Sequence, residues 1–211
     1  MAPSNMAFGL VAASIVALFS PHVVAAEAAN PDWPCVQHKV PTLTSAQMWD
    51  GPAADDLTQW RENEEIRKLV AALASRRTPV ADAVAAIARF AADQPPEKRD
   101  RALSLVFAGL LDTINSERAA VMSGIERFQR RQKARAAEIE KEGAVIRHLK
   151  ERAVSDESAR AELATIEEKY NWDVRVFSER QQSLPLACEV PVLIEQRLFE
   201  LGREIRARMN D

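Results

Sequence analysis

The sequence is poor in the residues from which most catalytic and metal sites are built. Its 211 residues include only two cysteines, three histidines and six glycines. Cys-x-x-Cys, Gly-x-Ser-x-Gly, glycine-rich phosphate-loop and His-Glu-x-x-His motifs are all missing. Cys35 and His38 have a ligand-like spacing, but one Cys and one His do not make a metal site, and Val145 stands where a Glu-x-x-His motif ending at His148 would need a glutamate. We therefore expect no catalytic residues, no metal and no cofactor, and predict that the protein is not an enzyme.

An excess of charge of one sign is also missing. The chain carries 28 Lys and Arg against 31 Asp and Glu, a formal net charge of −3. Proteins that bind nucleic acid usually present a strongly basic surface, and those that bind anionic membranes a basic face. We therefore expect no nucleic-acid partner, and keep binding to a membrane surface only as a secondary alternative.

Long apolar runs are confined to the N-terminus. Ala7 to Phe19 is an apolar stretch, and it is followed by Val24-Ala25-Ala26, a small-residue site suited to signal peptidase. This predicts a signal peptide over residues 1–26 with cleavage after Ala26, and cleavage after Ala28 is a second option. Because residues 1–5 contain no Lys or Arg, a retained anchor stays open. The expected location is the periplasm or the extracellular space.

The composition favours helices, since Ala, Leu, Glu and Arg dominate and glycine is scarce. Residues 27–42 are punctuated by prolines and predict an extended segment, which we call the strap. Residues 43–125 predict a helical body. Within it, apolar spacing indicates one helix from about Asp55 to Ala74, and a second that starts at Thr78-Pro79 and is closed by Pro95-Pro96.

The longest helical pattern runs from Arg99 to Val154, with apolar residues at steps of seven. Its roughly 55 residues would span on the order of 80 Å, too long to be covered by a compact body. A second apolar strip follows Ser155–Ser158, a polar tetrapeptide that we interpret as the tip of a helical hairpin. The alternative is a helix that continues through it. We call residues 126–184 the arm, an antiparallel coiled coil in which Ile139 is expected to pack on Trp172.

Pro185 is expected to end the second helix of the arm, because proline lacks the amide donor that a helix interior requires. Residues 185–211 are then a separate C-terminal segment, whose helix from Val190 to Met209 returns to the body. The predicted fold is therefore all-α, with a helical body, a projecting arm and an extended strap.

Cys35 lies in the strap and Cys188 lies where the arm meets the body. An exported chain with two cysteines predicts a disulfide between them. Such a bond would close a loop of about 153 residues, worth roughly 5 kcal/mol by the chain-entropy estimate. Free thiols or a redox couple are the alternative.

Two groups of residues are candidates for binding. The first is a basic patch at the base of the arm, which could dock an anionic partner or be an ordinary coiled-coil surface. The second is a group of tryptophans that could line a ligand groove or simply pack the strap against the body. The patch comprises Arg127, Arg130, Arg131, Lys133, Arg135, Arg175 and Arg180, and the groove Trp33, Trp49 and Trp60.

The predicted function is that of a non-enzymatic exported interaction protein, an adaptor, holdase or assembly factor, that binds a protein partner through the arm. Self-association through the arm is a further expectation. The alternative is a periplasmic ligand-binding or sensor protein with a tryptophan-lined pocket in the body.

Overall fold

A computed structural model describes residues 32–54 and 58–210. The predicted signal peptide, and the expected helix start at Asp55 and Asp56, lie outside these residues. Within the described ranges the chain is all-α, as predicted, with five helices and no strand. The helices are α1 (Ser45–Met48), α2 (Glu64–Ala74), α3 (Val80–Asp93), α4 (Pro96–Arg152) and α5 (Glu157–Arg206).

The helix that was expected from about Asp55 to Ala74 is shorter in the structure. A 3-10 turn occupies Gln59–Glu62, and α2 begins only at Glu64. Asn63 caps it, because its side-chain oxygen accepts a hydrogen bond from the Ile66 amide at 3.1 Å. The second helix begins at Val80, directly after Pro79, and ends before Pro95.

Two long helices dominate the molecule. With 57 and 50 residues, α4 and α5 extend about 85 and 75 Å respectively. They pack against each other over much of their length. The turn between them covers Ala153 to Ser155, and Asp156 caps α5 by accepting hydrogen bonds from the Ser158 and Ala159 amides. The hairpin interpretation is therefore confirmed, and a helix continuous through Ser155–Ser158 is excluded.

Pro185 does not end a helix, and this part of the sequence prediction was wrong. Helix α5 continues from the arm into the body and contains both Pro185 and Pro191. Each proline removes one amide donor from the helix, but packing can outweigh that local cost. Pro191 is buried, and the strap contributes a side-chain donor to the carbonyl of Cys188, between the two prolines.

The hydrophobic core lies where the proximal halves of α4 and α5 meet the shorter helices. Phe107, Leu110 and Ile114 of α4 and Leu198 and Leu201 of α5 are fully buried in it. Trp49, just after α1, stacks on Phe107 with ring centroids 3.9 Å apart. The other long halves of α4 and α5 extend beyond this core and form the arm.

Candidate interaction surfaces

The strap is joined to the root of the arm by a disulfide. Cys35 and Cys188 are bonded, with their Cα atoms 5.6 Å apart. Two residues further along the strap, the Gln37 side-chain amide donates to the carbonyl oxygen of Cys188. The Lys39 ammonium lies 2.5 Å from the Glu126 carboxylate on α4. The strap therefore contacts both long helices where the arm leaves the body.

A buried arginine holds the C-terminal part of the strap. Arg118 is only 1% exposed, and its Nη2 donates to the Val40 carbonyl at 3.1 Å and to the Glu195 carboxylate. The sequence analysis missed this residue. Its position in the sequence could have identified it. Arg118 lies seven residues before Ile125, so it belongs to the apolar stripe of α4, where a charged side chain is buried.

The structure divides the predicted basic patch into two groups. Three of its members are paired with carboxylates. Asp32 of the strap lies 3.1 Å from both Arg130 and Lys133, and Arg135 pairs with Asp173 of α5. Hydrogen bonds from Arg130 and then Lys133 lower the pKa of Asp32. These cations join the strap to α4 and α4 to α5, so their charge is already balanced within the chain.

The second group has no such neutralisation. Within residues 32–54 and 58–210, Arg127, Arg131, Arg175 and Arg180 form no ion pair, and each is exposed. Arg131 of α4 and Arg180 of α5 line one cleft of about 250 Å³, together with Phe128 and the buried Gln132. An arginine from each helix thus faces the same small space, beside an aromatic ring and with no carboxylate in its lining.

This cleft opens on the flank of the helix pair that the strap leaves uncovered. The strap meets α4 at Glu126, Arg130 and Lys133, which share one stripe at helical spacing. Arg131 follows Arg130 by one residue and is therefore rotated by about 100° away from that stripe. Guanidinium groups bind carboxylates and phosphates with paired donors, so the cleft fits an anionic group.

Trp172, two turns from Arg180 along α5, is 58% exposed. It is therefore not buried between α4 and α5, as an apolar pair with Ile139 would have it. The neighbouring Asp173 is turned to α4 instead, where it is 7% exposed and pairs with Arg135 as well as with Lys169. The Lys169 hydrogen bond, more than that of Arg135, lowers the pKa of Asp173.

The Trp172 ring is left on the surface, and the Arg175 guanidinium stacks over it at 4.7 Å from the ring centroid. Exposed tryptophan and arginine side chains are the residue types that dominate the energetics of protein interfaces. We call Arg131, Arg180, Trp172 and Arg175 the arm flank.

The structure does not bring the three candidate groove tryptophans together. Trp33 lies in the strap and donates to the Gln37 carbonyl at 2.8 Å, close to Cys188. Trp49 is 6% exposed in the core, where it stacks on Phe107, the side chain that packs against Gly202. Fourteen helical residues separate Cys188 from Gly202, about 20 Å along α5. Trp60 packs elsewhere, on Gly109 and Val70. A shared pocket is therefore not formed.

Neither metal nor membrane features emerge from the described part of the chain. It contains no cluster of three or more His, Cys, Asp or Glu side chains that could hold a metal ion. None of its helices has the length and apolarity that a membrane crossing requires.

Searches for relatives of this chain, against family models, curated proteins and solved structures, give no match.

Proposed function

We propose that the protein is exported and acts as a non-enzymatic interaction protein, whose arm flank binds an acidic surface of a protein partner. The observation that carries this proposal is the cleft that Arg131 and Arg180 share, because two cations face it without a carboxylate in its lining. A carboxylate from a partner would relieve the repulsion between them and accept several hydrogen bonds. The exposed Trp172, about 12 Å from Arg180 along α5, supplies apolar area on the same arm.

The shape of the molecule supports this proposal. The arm presents two packed helices to solvent, and its flank side chains stand on rigid elements rather than on loops. Preorganised side chains lose little conformational entropy when they bind. The disulfide and the ion pairs of Asp32 fix the root of the arm, so the flank keeps a constant orientation relative to the body.

Export is supported by the disulfide, since such bonds persist in oxidising compartments. N-terminal sequencing of the protein recovered from the cell envelope or the medium tests the location. We expect a chain that begins at Glu27. A chain that begins at Met1 and sediments with membranes would contradict cleavage and favour the retained anchor.

Photo-crosslinking in the native compartment tests the binding proposal. A photoreactive residue at Glu168, which lines a surface hollow with Trp172 and Arg175 of the arm flank, should give adducts with a partner. Reversing the cleft charges with Arg131→Glu and Arg180→Glu should abolish these adducts. The control Arg160→Glu changes an exposed arginine near the tip of the arm and should leave them in place.

The outcome that would contradict the proposal is equally specific. A photoreactive residue at Glu65, which is exposed on α2, probes the body. Adducts from that position alone, with none from the arm, would show that the body binds the partner. Adducts that survive both charge reversals would exclude the cleft.

A further inference from the structure

Where it passes through the body, helix α5 packs against α4 and α3. A Cβ at Gly202 would lie 3.3 Å from the Met48 carbonyl oxygen of α1. The Arg197 Nε donates to the Leu73 carbonyl of α2 at 2.7 Å. One face of α5 is left open, although it carries Leu193 and Phe199, which are 55% and 47% exposed.

The open side is a continuous stripe with helical spacing. Its apolar members are Val192, Leu193 and Phe199, and its polar members are exposed. Next to it, the strap residues Pro34 to Gln37 form the far wall of a hollow of about 590 Å³. Val36, which is fully exposed, is at the rim of this hollow. We call the following residues the α5 stripe: Glu189, Val192, Leu193, Gln196, Phe199, Glu200 and Arg203.

The α5 stripe is complementary to itself when it is reversed. Gln196 is its centre. Leu193 and Phe199 lie three residues to either side of it, and Glu189 and Arg203 lie seven residues to either side. Two copies placed antiparallel about Gln196 would set Phe199 opposite the Val192 of the other copy, because these two residues lie on the same side of the stripe, and would set a carboxylate opposite a guanidinium, each of them twice. A parallel arrangement would instead set each Glu189 against its own copy.

We propose that a second copy of this chain docks on the α5 stripe, antiparallel, with a two-fold axis at Gln196. The interface is isologous, since each copy offers the same surface. Phe199 packs on the Val192 of the other copy, Glu189 pairs with its Arg203, and Leu193 lies close to the two-fold axis. The C-terminal end of the other α5 enters the hollow beside the strap and covers Val36. Neither Glu189 nor Arg203 has an ion-pair partner in the described ranges of one chain.

Charge exchange across the axis tests this dimer. We expect the mature chain to sediment as a dimer at equilibrium. Glu189→Arg alone, or Arg203→Glu alone, should weaken it by about 3- to 10-fold, because each sets like charges opposite each other. The double variant should restore the original dissociation constant. Leu193→Glu should weaken the dimer by at least about 30-fold, as truncation of a central interface residue does.

Separate controls test whether the variants fold and whether the interface lies on the α5 stripe. Glu179→Arg makes the same change on an exposed arm position of α5 and should not alter the dimer. Unchanged circular dichroism shows that each variant folds, since the altered side chains are exposed. A chain that stays monomeric up to a concentration of about 1 mM, at which even a weak dimer would form, would overturn the proposal. The proposal would also be overturned if the double variant failed to restore the dimer. A dimer that is lost when residues 130–180 are deleted, but survives Leu193→Glu, would overturn it as well.

Discussion

Two glycines of α4 differ sharply in what surrounds them. A Cβ at Gly109 would lie 2.8 Å from both the Trp60 ring and the Val70 side chain, whereas a Cβ at Gly124 would meet only the end of Arg127, at 3.9 Å. Gly109→Ala should therefore overpack the core and lower the free energy of unfolding by about 1–3 kcal/mol.

Gly124→Ala is the matched control for this change, because it lies on the same helix with open space around it. It should raise the free energy of unfolding by up to about 1 kcal/mol, since alanine has the better helix propensity. Urea unfolding of both variants measures the difference. A neutral Gly109→Ala would contradict the close packing of Trp60 on α4.

Arg118 and Glu195 form a pair that is buried at the arginine end. The Nε and Nη1 atoms of Arg118 have no hydrogen-bond partner among the described residues, so Glu195 supplies the countercharge to this arginine. Glu195→Ala should destabilise the protein by about 3 kcal/mol, because it leaves a charge inside the core. Glu162→Ala, which changes an exposed glutamate on the arm part of the same helix, is the control and should cost less than about 0.5 kcal/mol. Equal urea midpoints for the two variants would show that the pair is dispensable.

Asp173 should make the stability of the arm depend on pH. Its pKa in the folded protein lies below the ordinary value of 3.8, first because of the Lys169 hydrogen bond. The stabilisation is thus complete above the unfolded pKa and is lost as the pH falls below about 4, through the folded pKa. Thermal unfolding from pH 7 to 2 measures it, and the dependence should be reduced in Asp173→Asn. An identical acid dependence in both proteins would assign the effect to other carboxylates.

At the scale of elements, sequence periodicity was sufficient for the two long helices and the turn between them. Steps of seven over α4 and the polar Ser155–Ser158 gave the hairpin, because these signals are local. The path of α5 through Pro185 was not predictable in this way. Whether a helix tolerates a proline depends on what packs around it, and here the packing comes from the strap and α4, which are remote in sequence.

The candidate site was predicted only in part for the same reason. The sequence identified the basic residues at the base of the arm, but not which of them are paired, since Asp32 lies about 100 residues away from Arg130 and Lys133. Similarly, one residue of rotation decides whether Trp172 or Asp173 faces α4. When two adjacent residues both lie at the edge of the contact between α4 and α5, helical periodicity alone does not predict which of them faces α4.

The continuous α5 makes a prediction about Pro185, which is exposed within the helix. Pro185→Ala restores one backbone hydrogen bond and should raise the free energy of unfolding, by up to about 3 kcal/mol. Equilibrium urea unfolding measures it, and Leu186→Ala, at the adjacent exposed position, is the control. A loss of stability, together with a loss of the disulfide on a non-reducing gel, would show instead that a bend at this proline is needed to position Cys188.

The whole molecule consists of a body and a stiff arm that projects from it, and the strap is bonded to the root of the arm. Helix α4 alone extends about 85 Å. A compact protein of about 185 residues has a radius of gyration of about 16 Å, so the two shapes are well separated in size.

Solution scattering of the mature chain tests this shape most directly. The Leu193→Glu variant should be used, so that the proposed dimer does not lengthen the particle. We expect a maximum dimension of at least about 85 Å, set by the length of α4, and a shortened particle when residues 130–180 are deleted. A radius of gyration near about 16 Å for the undeleted chain would contradict a projecting arm and the binding surface assigned to it.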